Sequence, residues 1–228
     1  MQQYCCETVV RMLPVAPTVK RYHSPQRAQA AAETRARIRE AAARLFVEQG
    51  YVATTMRDIA GVAGVGERTV DAAFPGKADL FRHALGVATV GDEEPVAVAE
   101  RSEVHDAFAE PDPRVAIARS IDYTVALLER AGDLIMVTVQ AADADADMRA
   151  AADAGSQATR EFWRTLTRTL HDRGVLRAGL TVQTAADILY ALASPHTHHL
   201  LRRRCGWSRR RYRSWLTDTA TQQLLAGS

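Results

Sequence analysis

Between Thr34 and Phe81 the apolar positions of the chain fall into four short sets, each with helical spacing. Ile38, Ala41, Ala42, Leu45 and Phe46 recur on one face of a first helix, and Gly50 is a natural C-terminal stop. Thr54 or Thr55 then opens a second helix. Thr55-Met56-Arg57-Asp58 has the form of a capping box, with Asp where Glu or Gln is usual. Ile59, Ala60 and Ala63 face inward on that helix, Gly64 ends it and Val65 fills the turn. A third helix, about Glu67–Phe74, carries Val70 and Phe74 on its buried side. Pro75-Gly76 breaks it, and a fourth begins near Lys77–Asp79 with Leu80 and Phe81 inward.

Past an acidic, proline-containing stretch over Gly91–Pro113, read as a loop, the helical period returns. Val115, Ala118, Ile121, Val125 and Leu128 mark one helix, and Leu134–Ala142 leads into an Ala/Asp-rich segment. Phe162, Leu166 and Leu170 mark another helix, stopped by Gly174; Thr181–Leu201 and Ser208–Leu225 are the last two. No run alternates apolar and polar residues as a strand would, so the fold class is all-α. Residues 1–32 show no sustained period and contain Pro14, Pro17 and Pro25, which reads as a flexible arm. The expected division is this arm, a three-helix domain over 33–80, and a helical body over 81–228.

Composition narrows the setting. The longest uncharged apolar run, near Leu134–Ala142, is too short to span a bilayer. Three cysteines, two of them adjacent, do not form a disulfide framework, and no basic start followed by an apolar core suggests a secretion signal. A cytoplasmic protein is expected, with no membrane partner. Charge is unevenly spread: residues 1–90 hold 12 Lys/Arg against 8 Asp/Glu, residues 91–200 hold 10 against 18, and residues 201–228 hold 7 against 1. A basic start and an acidic middle suggest a nucleic-acid end and a separate body.

The three-helix unit supplies the candidate chemistry. A tight turn at Gly64 sets two helices at a large angle, so the third can protrude into a major groove. Its exposed positions are Gly66, Glu67, Arg68, Thr69 and Asp71, short or polar residues suited to groove edges and phosphates. Thr55 and Arg57 of the preceding helix join this DNA-binding set. The stretch resembles the N-terminal domain of the TetR family over Thr34–Phe81, and the match fixes residue type at many spaced positions. The resemblance implies a helix-turn-helix head that binds a double-stranded operator, a helical body that binds a small effector, and Lys77 as a phosphate contact. Leu192, Ser194-Pro195, Gly206-Trp207, Tyr212, Trp215-Leu216 and Leu224-Leu225 resemble the last two helices of a TetR-like subgroup, which implies a homodimer through a four-helix interface. Two positions depart from the pattern. Gly66 stands where Ser commonly caps the recognition helix, and Asp71 replaces a phosphate-contacting Tyr. Asp71 either faces phosphate unfavourably or turns to Arg68 one helical turn away.

In the body, Tyr123, Phe162, Trp163 and Tyr190 are candidate walls of an apolar ligand pocket, with ordinary core packing the alternative for each. His196, His198, His199 and Cys205 lack compact metal-ligand spacing, and Asp143, Asp145 and Asp147 lack the glycine and glutamate of a calcium loop. No cofactor is expected, and nothing marks a catalytic centre. A ligand-responsive repressor is the leading reading; an enzyme or metal sensor built on the helical body is the other. The arginine run from Arg202 to Arg213 reads either as a second nucleic-acid patch or as solvated surface.

Overall fold

The computed structural model describes residues 25–91, 98 and 101–226. Its helices are α1 (Pro25–Gln49), α2 (Met56–Ala63), α3 (Glu67–Ala73), α4 (Lys77–Val90), α5 (Ser102–Ala109), α6 (Pro113–Ala141), α7 (Ala146–Asp172), α8 (Val182–Leu192), α9 (Pro195–His199) and α10 (Arg209–Leu224). One wide π turn, Leu200–Arg204, follows α9. No strand forms among the described residues; a single bridge pairs Leu176 with Leu225.

Local chemistry explains most boundaries. Thr55 caps α2 in a reciprocal box with Asp58. Asp112, Asp145, Thr181, Ser194 and Ser208 cap α6, α7, α8, α9 and α10 through their side chains, and Pro113 and Pro195 open two of these helices. The glycines Gly66 and Gly76 precede α3 and α4 and offer no side-chain cap.

Two apolar cores organise the chain. The first gathers Ile38, Leu45, Phe46, Ile59, Val70, Phe74, Leu80 and Phe81. At its centre Phe46 stacks on Tyr51 and Phe81 meets both edge-on, with centroids 5.0–5.6 Å apart. The second joins α6, α7, α8 and α10 into a bundle around Ile117, Ile121, Trp163, Leu166, Leu189, Tyr212 and Leu216. Helix α6 belongs to both. Its Ile121 and Val125 lie in the second core, while Leu134, Val137 and Ala141 lie in the first, together with Met148 of α7. The head is thus built against the body, and α6, 29 residues long, is one rod through both.

Several expectations are corrected. The arm expected over 1–32 lies outside the described residues up to 24, and its remainder from Pro25 forms the first turns of α1. These turns are almost wholly exposed, so no apolar period marked them. The stretch read as a loop over Gly91–Pro113 contains α5, whose Val104 and Ala107 are buried. Thr181–Leu201 is not continuous: Ser194 and Pro195 end one helix and cap the next.

A capped helix-turn-helix and its supports

The turn between α2 and α3 follows from Gly64. Its φ of 65° lies in the left-handed region, which costs glycine little. Its N–H donates to Ala60 and Gly61, and the Val65 N–H donates to Ala60 at 3.1 Å. Helix α3 then buries only Val70 along its length and Phe74 just past its end. Gly66, Glu67, Arg68, Thr69 and Asp71 are all exposed, as the spacing predicts.

What holds α3 in place was largely invisible in the sequence. Arg35 of α1 donates to the Ala73 carbonyl at the C-terminal end of α3, and its guanidinium lies 4.4 Å from the Phe74 ring centroid. Residues 38 apart make this contact, so no local pattern signals it. At the other end, Arg57 Nε donates to Glu67 at 2.9 Å. Both side chains are well exposed, so the pair contributes well under about 1 kcal/mol. Its role is positional: it joins the start of α2 to the start of α3 and offsets the Glu67 charge on the exposed face of α3.

The Thr55 hydroxyl is committed to the cap. It accepts from the Asp58 N–H at 3.1 Å and donates to the Asp58 carboxylate at 2.6 Å. Those bonds to Thr55, hydroxyl first and then backbone N–H, hold the Asp58 carboxyl below its ordinary range. Arg68 and Asp71 make no ion pair or hydrogen bond with each other among the described residues, so the pairing considered for Asp71 is not formed.

Lys77 departs from the role the resemblance implies. Its ammonium donates to the carbonyls of Tyr51 at 2.9 Å, Thr54 at 3.1 Å and Val52 at 3.4 Å, and lies 4.4 Å from the Tyr51 ring centroid. All three hydrogens are engaged within the head, tying the start of α4 to the loop between α1 and α2. A phosphate contact would require the ammonium to leave these carbonyls.

In the body, Phe162 packs against Phe108, Tyr123 and Trp163, with centroids 5.2, 6.3 and 4.7 Å away. Trp163 is wholly buried, and its indole N–H has no hydrogen-bond partner among the described residues. Tyr190 shares no ring contact with these three. Its hydroxyl lies 2.6 Å from Ser156, and the Arg160 guanidinium covers its ring at 5.0 Å. Sequence reasoning therefore brought three of its four aromatic candidates together and missed Phe108, hidden in the supposed loop.

Three arginines of the run, Arg202, Arg203 and Arg213, are taken up by α6, whose Asp122, Glu129 and Asp133 form an acidic stripe. Arg213 binds Asp122 through Nε and Nη2, and Arg203 binds Asp133 at 2.6 Å. Arg202 grips Glu129 bidentately at 2.5 and 2.8 Å, and His198, 2% exposed, meets the same carboxylate at 3.0 Å. Arg202 holds the Glu129 carboxyl down to about 2, against the opposing effect of burial, with help from His198. Burial lowers the His198 pKa, partly offset by Glu129. The fit depends on Gly132, where a Cβ would stand 3.2 Å from His198 Nδ1. One residue beyond Glu129, Arg130 donates to Ala88 and Thr89 at the end of α4, at 3.2 and 3.1 Å. None of these contacts was predicted.

A side-chain-capped helix, a left-handed glycine turn and a short helix exposing only small or polar residues define a helix-turn-helix DNA-binding protein, here joined to a larger helical bundle. Residues 38–84 match the model for bacterial regulatory proteins of the tetR family. Over 202 residues the chain is 27% identical to the HTH-type transcriptional repressor BepR of Brucella suis biovar 1 (strain 1330), covering 86% of this chain and 94% of BepR. In fold it is similar to native NalD, the secondary repressor of the MexAB-OprM multidrug efflux pump in Pseudomonas aeruginosa, with a TM-score of 0.67 and 22% identity over 87% of this chain and 100% of NalD. It is likewise similar to a transcriptional regulator from Saccharomonospora viridis in complex with choline, with a TM-score of 0.66 and 21% identity over 86% and 100% of the two chains. The match to the tetR-family model is confined to the head, residues 38–84, and the likeness to the solved structures extends the same fold through the body.

Proposed function

We propose that this protein is a homodimeric repressor that leaves its operator when a small, mostly apolar molecule binds in the body. The observation that carries the reading is the sharing of α6 between the two cores. Val125 packs in the body, Leu134, Val137 and Ala141 pack in the head, and Arg130 between them holds the end of α4. A closely packed helix passes displacement on rather than absorbing it. A ligand entering beside Tyr123, Phe162 and Phe108 would shift the rod and α4 together, and with them the spacing of two heads. Release then follows as a population shift between head spacings, set by the ligand's differential affinity for them.

The reading assigns the operator contact to Gly66, Glu67, Arg68, Thr69 and Asp71, with Thr55 and Arg57 behind them, and the effector wall to Tyr123 and Phe162. It draws on the relatives: BepR and NalD are repressors by name, and the S. viridis regulator holds choline. A dimer of this design meets half-sites about one helical turn apart, or a multiple of that. The test is selection of bound fragments from the source genome, then footprinting with and without small molecules related to the neighbouring genes. A near-palindromic footprint released by one compound class supports the proposal. A single asymmetric site bound by a monomer, insensitive to every compound, overturns it.

A further inference from the structure

We propose that the groove between α6 and the start of α10 is a binding site for a small anion carrying a phosphate or carboxylate group. The groove has a volume of about 470 Å³ and is lined by Asp122, Val125, Arg209, Arg210 and Arg213. That volume lies within the range of small-molecule sites, roughly 300–1,000 Å³. It is separate from the aromatic cluster around Phe162, and the proposal does not depend on how the head binds DNA.

The charges in the groove are unevenly matched. Asp122 is fully engaged by Arg213, which fixes that guanidinium in orientation. Arg209 and Arg210 are exposed and, among the described residues, have neither an ion pair nor a side-chain hydrogen bond. They also occupy the first turn of α10, which contains no acidic residue. A helix start carries partial positive charge and favours anions, so two free cations there are mutually unfavourable and unfavourable with the helix. Of the other arginines in the run, Arg202, Arg203 and Arg213 each have a carboxylate partner on α6, and Arg211 lies over the Trp207 ring. A phosphate or carboxylate seated between Arg209, Arg210 and Arg213 supplies the missing charge in charge-assisted hydrogen bonds, and Val125 offers an apolar floor for the rest of the molecule. A duplex backbone fits the surface poorly, because Asp122 lies in the groove and Asp218 lines the adjoining one. The negative group is thereby confined to the arginine end.

The experiment is calorimetric titration of the full chain with inorganic phosphate and, separately, with benzoate, at constant ionic strength against a chloride control. Saturable binding to one site per chain is expected for at least one of the two. The R209Q/R210Q double variant should weaken it by about ten-fold or more, as loss of charge-assisted bonds implies. The thermal midpoint in chloride should be unchanged or raised, and operator affinity without added anion unchanged. Arg204→Gln, which removes an exposed arginine outside the groove that has no ion pair among the described residues, should leave anion binding intact. Binding no stronger than chloride's overturns the proposal, as does equal loss in the Arg204 variant. Loss of operator affinity in the double variant with anion binding retained also overturns it, by making the patch a nucleic-acid contact.

Discussion

Lys77→Met separates two roles for one lysine. The substitution keeps the aliphatic stem and removes the ammonium, leaving the carbonyls of Tyr51, Val52 and Thr54 without their shared donor. Thr54 is wholly buried and Tyr51 nearly so, which limits how well water can replace the bonds. A hydrogen bond from a charged donor contributes about 1.5–3 kcal/mol, and a partly exposed cation over an aromatic ring adds about 0.5–1 kcal/mol. Counting one strong bond and the ring contact in full, and discounting the others because they share one ammonium, gives about 3 kcal/mol. For a chain of this size that corresponds to a fall of roughly 6–12 °C in the thermal midpoint. The assay pairs calorimetry at fixed protein concentration with operator affinity measured over a range of salt. If Lys77 is a clamp, the midpoint falls and the slope of log affinity against log salt is unchanged once folded protein is compared. If it binds phosphate, the slope falls by about one unit with little change in midpoint. An unchanged midpoint with a reduced slope would refute the clamp.

Three further outcomes are expected. Because Asp71 has no partner on α3, Asp71→Asn should tighten both specific and non-specific DNA binding, with a gain that shrinks as salt rises; specific binding that weakens instead would show that Asp71 orients Arg68 in the complex. Arg68→Ala should weaken operator binding by about 1–3 kcal/mol if the guanidinium reads a base, and unchanged affinity on competition gels would exclude the contact. Glu129→Gln should destabilise the chain by about 3 kcal/mol at neutral pH in urea unfolding, since it leaves Arg202 and buried His198 short of a charged partner. The Glu129 carboxyl is lowered to about 2, so its stabilising effect is complete above the unfolded carboxyl's ordinary pKa and is lost as pH falls toward 2. The His198 pKa is also lowered, so acidification below the ordinary imidazole range weakens the native state through that residue too. A gap between wild type and variant that stays constant from pH 7 to pH 3 would contradict the assignment to Glu129.

The head was legible in the sequence because its determinants are local. A capping box spans Thr55 to Asp58, a left-handed turn needs only Gly64, and the inward spacing of Ile59, Val70 and Phe74 leaves Arg68, Thr69 and Asp71 outside. The helical class of the body was legible for the same reason, since Ile121, Val125, Leu166 and Leu170 keep one period, although Val115 of the expected stripe is exposed and Ile117 takes the buried place. Tertiary structure decided the rest. Helix α5 escaped notice because its buried residues, Val104 and Ala107, are few and set among acids. Arg35 at the end of α3, Lys77 on the loop carbonyls, and Arg202 with His198 on Glu129 join residues between 23 and 73 positions apart. Local spacing is silent about such partners, because a long charged side chain has no period of its own and bonds to whatever carbonyl or carboxylate packing brings near. The coupling route has the same origin. The period of α6 shows one apolar stripe, but only the folded chain divides that stripe between two cores.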